Sequence, residues 1–144
     1  MCIPEVADLD LKGIDTIAID LETYDPNLKT KGSGAIRKDG FVCGIAVATS
    51  KQKLYFPIAH AMTSNLDPDE TWELLNKKVF KNNGLRKVFH NAMYDICWIR
   101  SVLGEMPAGE IVDTMIAASV IDETKMKYSL DALSKEYLKD AKYK

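Results

Sequence analysis

Three segments rich in β-branched and apolar residues fall within the first 58 positions: GIDTIAID at 13–20, FVCGIAVA at 41–48 and KLYFPI at 53–58. Such runs, bounded by turn-forming residues, read as strands. The short SKQ stretch at 50–52 suits a hairpin turn, so the second and third strands are expected to pair antiparallel. Beyond residue 66 helical periods alternate with short apolar runs. This order excludes a helical bundle and a repeat array. It points to an α/β fold with a mixed sheet, its first three strands antiparallel and its later strands parallel, flanked by helices.

The helical part carries clear punctuation. Asp67, Pro68 and Glu70 suit the N-cap, first position and reciprocal capping position of a helix. Its apolar face follows from Trp72, Leu75 and Val79, and Asn82-Asn83-Gly84 ends it. A short strand at 87–90 leads into a helix over 91–103, with Met93, Ile96, Cys97, Ile99 and Val102 supplying much of its apolar surface. A strand at 110–113 leads into a helix over 114–121. A last helix spans about 130–139, with Ser129 as its cap. The basic span DPNLKTKGSGAIRKDG at 25–40 reads as a loop. At 144 residues the chain is expected to be one domain with a core of its own.

Chemistry enters at Asp20-Leu21-Glu22. Residues i and i+2 of an extended strand share a face, so this pair sits side by side at what reads as the end of the first strand. Two adjacent carboxylates repel unless a cation lies between them. Oxygen donors alone favour Mg²⁺ or Mn²⁺ over zinc. The plainer reading is a strand end with both side chains solvated, and the pair alone does not decide. A second feature is His90-Asn91-Ala92-Met93-Tyr94-Asp95, a strand end entering a helix. Asn91 and Asp95 share a helix face, and Tyr94 neighbours Asn91. The free N–H groups of such a junction favour a phosphate. The plainer reading makes Asn91 a cap and Asp95 an acid that complements the helix dipole.

Taken together, the two features resemble a known family. IAIDLET is similar to the first motif (DxE) of the DEDD exonucleases, and NAMYD to the second (N-x₂-[FY]-D). The wider text, including LYFPIAH, KVFHNAMYDICWI, DTMIAASVIDE and YSLDALSKEYL, resembles the proofreading domain of phage-type family A DNA polymerases over nearly the whole chain. The resemblance implies an RNase H-like fold and 3′–5′ hydrolysis of terminal phosphodiester bonds. It implies two ions, Mg²⁺ or Mn²⁺, roughly 4 Å apart. Asp20, Glu22 and Asp95 would be the catalytic metal ligands. Asn91 and Tyr94 would position the substrate or the metal-binding helix, and Thr23 would touch the terminal nucleotide. The implied partners are the 3′ end of single-stranded DNA and, in a longer protein, a polymerase domain.

One family feature has no match. The third motif, Y-x₃-D or H-x₃-D, carries the fourth ligand and the residue that aims the water. Downstream of Asp95, Tyr128 is followed four positions on by Ala132 and Tyr137 by Ala141. A domain cut before its third motif, with weakened activity and apolar surface exposed where a helix is missing, is the expectation. Two other readings stand beside DNA proofreading: a stand-alone RNase D-like 3′–5′ exoribonuclease, and a non-catalytic nucleic-acid-binding module.

Other classes find less support. The formal charge of −2 gives no bulk attraction to nucleic acid, so binding must come from local groups. Lys29, Lys31, Arg37 and Lys38 could steer a strand, although solvated side chains are the default there. Gly32-Ser33-Gly34 lacks the Lys-Ser/Thr of a P-loop. Cys2, Cys43 and Cys97 form no metal or disulfide pattern with one another or with His60 and His90. That suits reduced core thiols and a cytoplasmic location in a phage or bacterial setting. No apolar run nears the ~20 residues of a membrane span, and no partnership with a membrane is expected. Asp113 reads as a structural acid outside the ligand set, and Trp72 and Trp98 as core.

Overall fold

The computed structural model describes residues 3–138, so Cys2 and the expected helix end at Lys139 lie outside the described residues. Strand β1 (Thr16–Tyr24) pairs antiparallel with β2 (Phe41–Ala48), and β2 with β3 (Lys53–Pro57). On the other edge of β1, β4 (Arg86–Phe89) and β5 (Ile111–Asp113) run parallel, giving the order β3-β2-β1-β4-β5. The mixed sheet and its polarity are those expected from the residue pattern.

Two helical turns, α1 (Leu28–Lys31) and α2 (Gly34–Arg37), follow β1 where a plain loop was expected. Helix α3 (Pro68–Leu75) begins as its sequence dictates: the Asp67 carboxylate accepts from the Glu70 N–H at 2.8 Å, and Pro68 opens the first turn. The helix widens into a π-turn at Asn76–Phe80. Then come α4 (Ala92–Leu103), α5 (Thr114–Ile121) and α6 (Leu130–Tyr137), the last capped by Ser129. No helix among the described residues is long and apolar enough to cross a membrane.

The core lies on one face of the sheet. Ile17, Ile19 and Leu21 of β1 meet Ile45 and Phe56 of the meander, Trp72, Leu75 and Phe80 of the α3 segment, and Ile96, Trp98 and Ile99 of α4. Met93 and Val102, expected on the apolar face of α4, are exposed instead, and Trp98 takes that place. Alternation along β1 sends Ala18, Asp20 and Glu22 to the opposite, open face.

β1 does not stop at Asp20. It runs four residues further because Thr23 and Tyr24 keep pairing with Val42 and Phe41 across a bulge at Glu22/Thr23. The carboxylate pair therefore sits on a rigid strand interior rather than at a fraying end.

Two close packings set this region. Lys87, in β4, is fully buried, and its Nζ donates to the carbonyls of Asn82 at 2.5 Å and Ala108 at 2.6 Å. Burial lowers its pKa, and the two carbonyls offset part of the cost of enclosing the charge. Gly40 presses on the Tyr24 carbonyl, and a Cβ there would overlap that oxygen and come within 3.0 Å of the Trp98 ring. Gly40→Ala is expected to cost about 1–3 kcal/mol. The check is a lower urea midpoint with an unchanged slope.

Candidate active site

Asp20 and Glu22 point from the same face of β1, opposite Ala46 and Gly44 of β2. Small neighbours leave the carboxylates open to solvent above the sheet. Protein packed around Asp20 raises its pKa, the Glu22 charge raises it further, and His90 works the other way.

Asp95 arrives from the first turn of α4. It is 3% exposed, and its Oδ1 accepts from the Leu21 N–H at 3.1 Å. This bond ties the helix to β1 beyond the point where β4 has stopped pairing with it. Burial pushes the Asp95 carboxyl up to about 7; the Leu21 N–H opposes that shift, and the Asp20 charge adds to it. Three carboxylates from two elements thus crowd one region with too little positive charge.

Tyr94 and Thr23 meet directly. Their hydroxyls lie 2.7 Å apart, and the Tyr94 hydroxyl also donates to Asp25 at 3.4 Å. Asp25 was not expected to matter. Its carboxylate accepts from the Gly34 N–H and pairs with Arg37, which also pairs with Asp39. Arg37, one of the basic loop residues considered for steering a strand, is therefore bound to two carboxylates.

Asn91 departs from both of its sequence readings. Its backbone is left-handed (φ 66°, ψ 53°), it makes no side-chain cap, and it is exposed. Asn tolerates this conformation better than most residues, and such strain persists where the surroundings enforce it. The enforcing group is Asp113. Its Oδ1 accepts from the Asn91 N–H at 3.1 Å and its Oδ2 from the Ala92 N–H at 2.8 Å. Oδ1 also caps α5 through Met115 at 2.9 Å and Ile116 at 3.4 Å. The phosphate expected at this junction is displaced by a carboxylate of the chain itself. Asp113 is the structural acid its position suggested. Burial raises its pKa, but the backbone donors Ala92, Met115, Asn91 and Ile116 together outweigh that and hold it below its ordinary value.

A cleft of about 520 Å³ opens over the sheet beside Asp20, lined also by Tyr55, His90, Thr114 and Leu130. Nearby on α5, Ile116, Val120 and Ile121 are exposed, as expected for apolar surface left open. Tyr55 packs over Gly44 and bonds His60 at 2.5 Å, so His60 has a partner unrelated to zinc. Neither Tyr55 nor His90 stood out in the sequence; the periodicity of β3 and β4 places both on the face of Asp20.

The donors suit a hard divalent ion: Asp20, Glu22 and Asp95 offer oxygen alone. Among the described residues, no group of three His, Cys, Asp or Glu side chains is gathered closely enough to enclose an ion. Asp95 instead spends one oxygen on Leu21, so the chemistry fits while the side chains stand open.

A family model described as 3′-5′ exonuclease matches residues 4–144. The exosome complex exonuclease RRP6 of Saccharomyces cerevisiae is 31% identical over 112 residues, 78% of this chain and 13% of that protein. Brucella melitensis NrnC bound to pGG superposes with a TM-score of 0.69 at 20% identity, covering 99% of this chain and 60% of NrnC. The same protein with bound Mg²⁺ gives 0.67 at 20% identity over 95% and 58%. Escherichia coli RNase D, described as an exoribonuclease involved in structured RNA processing, gives 0.63 at 19% identity over 88% and 28%. The fold is shared and agrees with the RNase H-like expectation, but the chain spans well under two thirds of each relative.

Proposed function

The chain belongs to the 3′-5′ exonuclease family, and on that footing we propose that it removes nucleotides from the 3′ end of RNA by metal-assisted hydrolysis. Asp20, Glu22 and Asp95 would hold Mg²⁺ or Mn²⁺. Such ions supply an activated water and stabilise charge on the phosphate and the leaving oxygen. The observation that carries this reading is the convergence of a strand-interior carboxylate pair with a buried helix aspartate bonded to the same strand.

Within the chain, the roles divide by geometry. Asp95, buried and anchored to Leu21, gives one fixed donor. Asp20 and Glu22 face the open cleft. Thr23 and Tyr94 hold each other beside the pair, where they would meet the terminal nucleotide, and Asn91 presents an uncommitted side chain at the mouth of α4. The preference for RNA rests on the relatives: an exoribonuclease, an exosome exonuclease and a nuclease bound to pGG. DNA proofreading is the second reading, carried by the polymerase-like text around FPIAH and YSLDALSKEYL.

The test uses 5′-labelled RNA and DNA strands of one sequence, with Mg²⁺ and separately with Mn²⁺. The expected result is a ladder shortened from the 3′ end, faster on RNA. Faster shortening of DNA would favour proofreading. No shortening of either strand, with both still bound, would leave a non-catalytic binding module, consistent with the unmatched third motif.

A further inference from the structure

We propose that His90 is a positioning residue of this site: its Nε2 accepts a hydrogen bond from the water that a divalent cation at Asp20 carries into the cleft. The proposal rests on the exonuclease reading of Asp20.

The placement follows from the sheet. Ala18 pairs with Val88 in parallel register. Two residues on, Asp20 and His90 emerge side by side on the same face, and both line the cleft. Ala46 faces Asp20 across the next ladder and Tyr55 faces Ala46, so one row of the sheet reads Tyr55, Ala46, Asp20, His90.

The hydrogen-bond network assigns the tautomer. Thr114 Oγ1 has one proton, and it donates to the Phe89 carbonyl at 3.0 Å. The same oxygen lies 2.9 Å from His90 Nδ1 and can only accept there, so Nδ1 carries the imidazole proton. Nε2 is left with a lone pair. It is buried and has no partner within the protein. An orphaned acceptor of this kind costs free energy unless a donor arrives. The cleft borders it on the Asp20 side, and water on a divalent cation is a strong donor. Groups that orient the contents of a metal site in this way typically matter about 10–100-fold.

Two substitutions separate this role from a structural one. His90→Asn keeps a polar atom where Nδ1 meets Thr114 but ends short of the cleft. His90→Gln gives up the Thr114 bond and sets an amide oxygen near the place of Nε2. If His90 positions the water, His90→Asn weakens Mn²⁺ binding and slows hydrolysis at saturating substrate by about tenfold or more, and His90→Gln recovers most of both. A structural role reverses that order, and finding it overturns the proposal.

Nitrogen NMR of the unmodified chain gives a second readout. The expected spectrum has Nδ1 protonated, and an unprotonated Nε2 whose signal moves on addition of Mg²⁺. That movement should be lost in Asp20→Ala. An Nε2 carrying its own proton overturns the proposal, as does an Nε2 blind to Mg²⁺ in a protein whose Mn²⁺ binding requires Asp20. Mn²⁺ binding indifferent to Asp20→Ala overturns the cation site itself, and the His90 role with it.

Discussion

Asp20→Ala is expected to slow 3′-end removal on the order of a hundredfold to a thousandfold, measured in single-turnover reactions with labelled strand. The substitution removes one of the two carboxylates that face the cleft. Asp95 cannot take over, because its oxygen is bound to the Leu21 N–H behind the strand. Asp20→Asn sharpens the test. It keeps the shape but relieves the crowding and the repulsion from Glu22 that raise the Asp20 pKa. Without metal, Asp20→Asn should therefore melt at a higher temperature than the parent while losing hydrolysis. That opposition between stability and activity is expected of a site that stores unfavourable charge for function. A variant that retains full hydrolysis would remove Asp20 from the mechanism.

Asp113→Ala should destabilise the fold by about 2–4 kcal/mol, because one carboxylate caps two helices. Four backbone donors lose their acceptor at once: Asn91 and Ala92 at the start of α4, Met115 and Ile116 at the start of α5. Asn91 would also lose the group that holds it left-handed, so Asp95 in the next turn should be displaced and hydrolysis should fall with stability. Asp113→Asn keeps one acceptor oxygen and should cost less. The pH dependence has a definite sign. Asp113 holds its proton less tightly in the folded protein than at its ordinary value of 3.8. Its ionised form thus stabilises the fold fully above that value, and the contribution fades as pH falls through the lower folded pKa. The stability gap between parent and Asp113→Asn should be constant near neutrality and shrink below about pH 4. A gap that does not change down to pH 2 would contradict the capping role.

Much of this molecule was legible from residue order. The β-branched runs announced β1, β2 and β3, and Asp67-Pro68 announced the start of α3. The positions of α5 and α6 followed from Asp113, Thr114 and Ser129. The carboxylates at 20, 22 and 95 could be picked out because their spacing is local: two residues along a strand, and the first turn after a strand.

What could not be read depends on partners far away in sequence. Whether β1 stopped at Asp20 was decided by Phe41 and Val42, which pair with Tyr24 and Thr23. The N–H groups of Asn91 and Ala92 looked free for a phosphate until Asp113, 22 and 21 residues away, took them. Arg37 looked like a mobile cation until Asp25 and Asp39 closed on it.

His90 marks the boundary most clearly. As a sequence symbol it was a histidine without metal-ligand spacing. The parallel register of β1 and β4 set it beside Asp20, and Thr114 settled which nitrogen holds the proton. Local pattern determined the strands, the helices and the family's acids, because backbone periodicity and capping act over a few residues. Only the tertiary structure decided which polar atoms were consumed and which were left facing the cleft, because hydrogen-bond partners are assigned by packing across the whole chain.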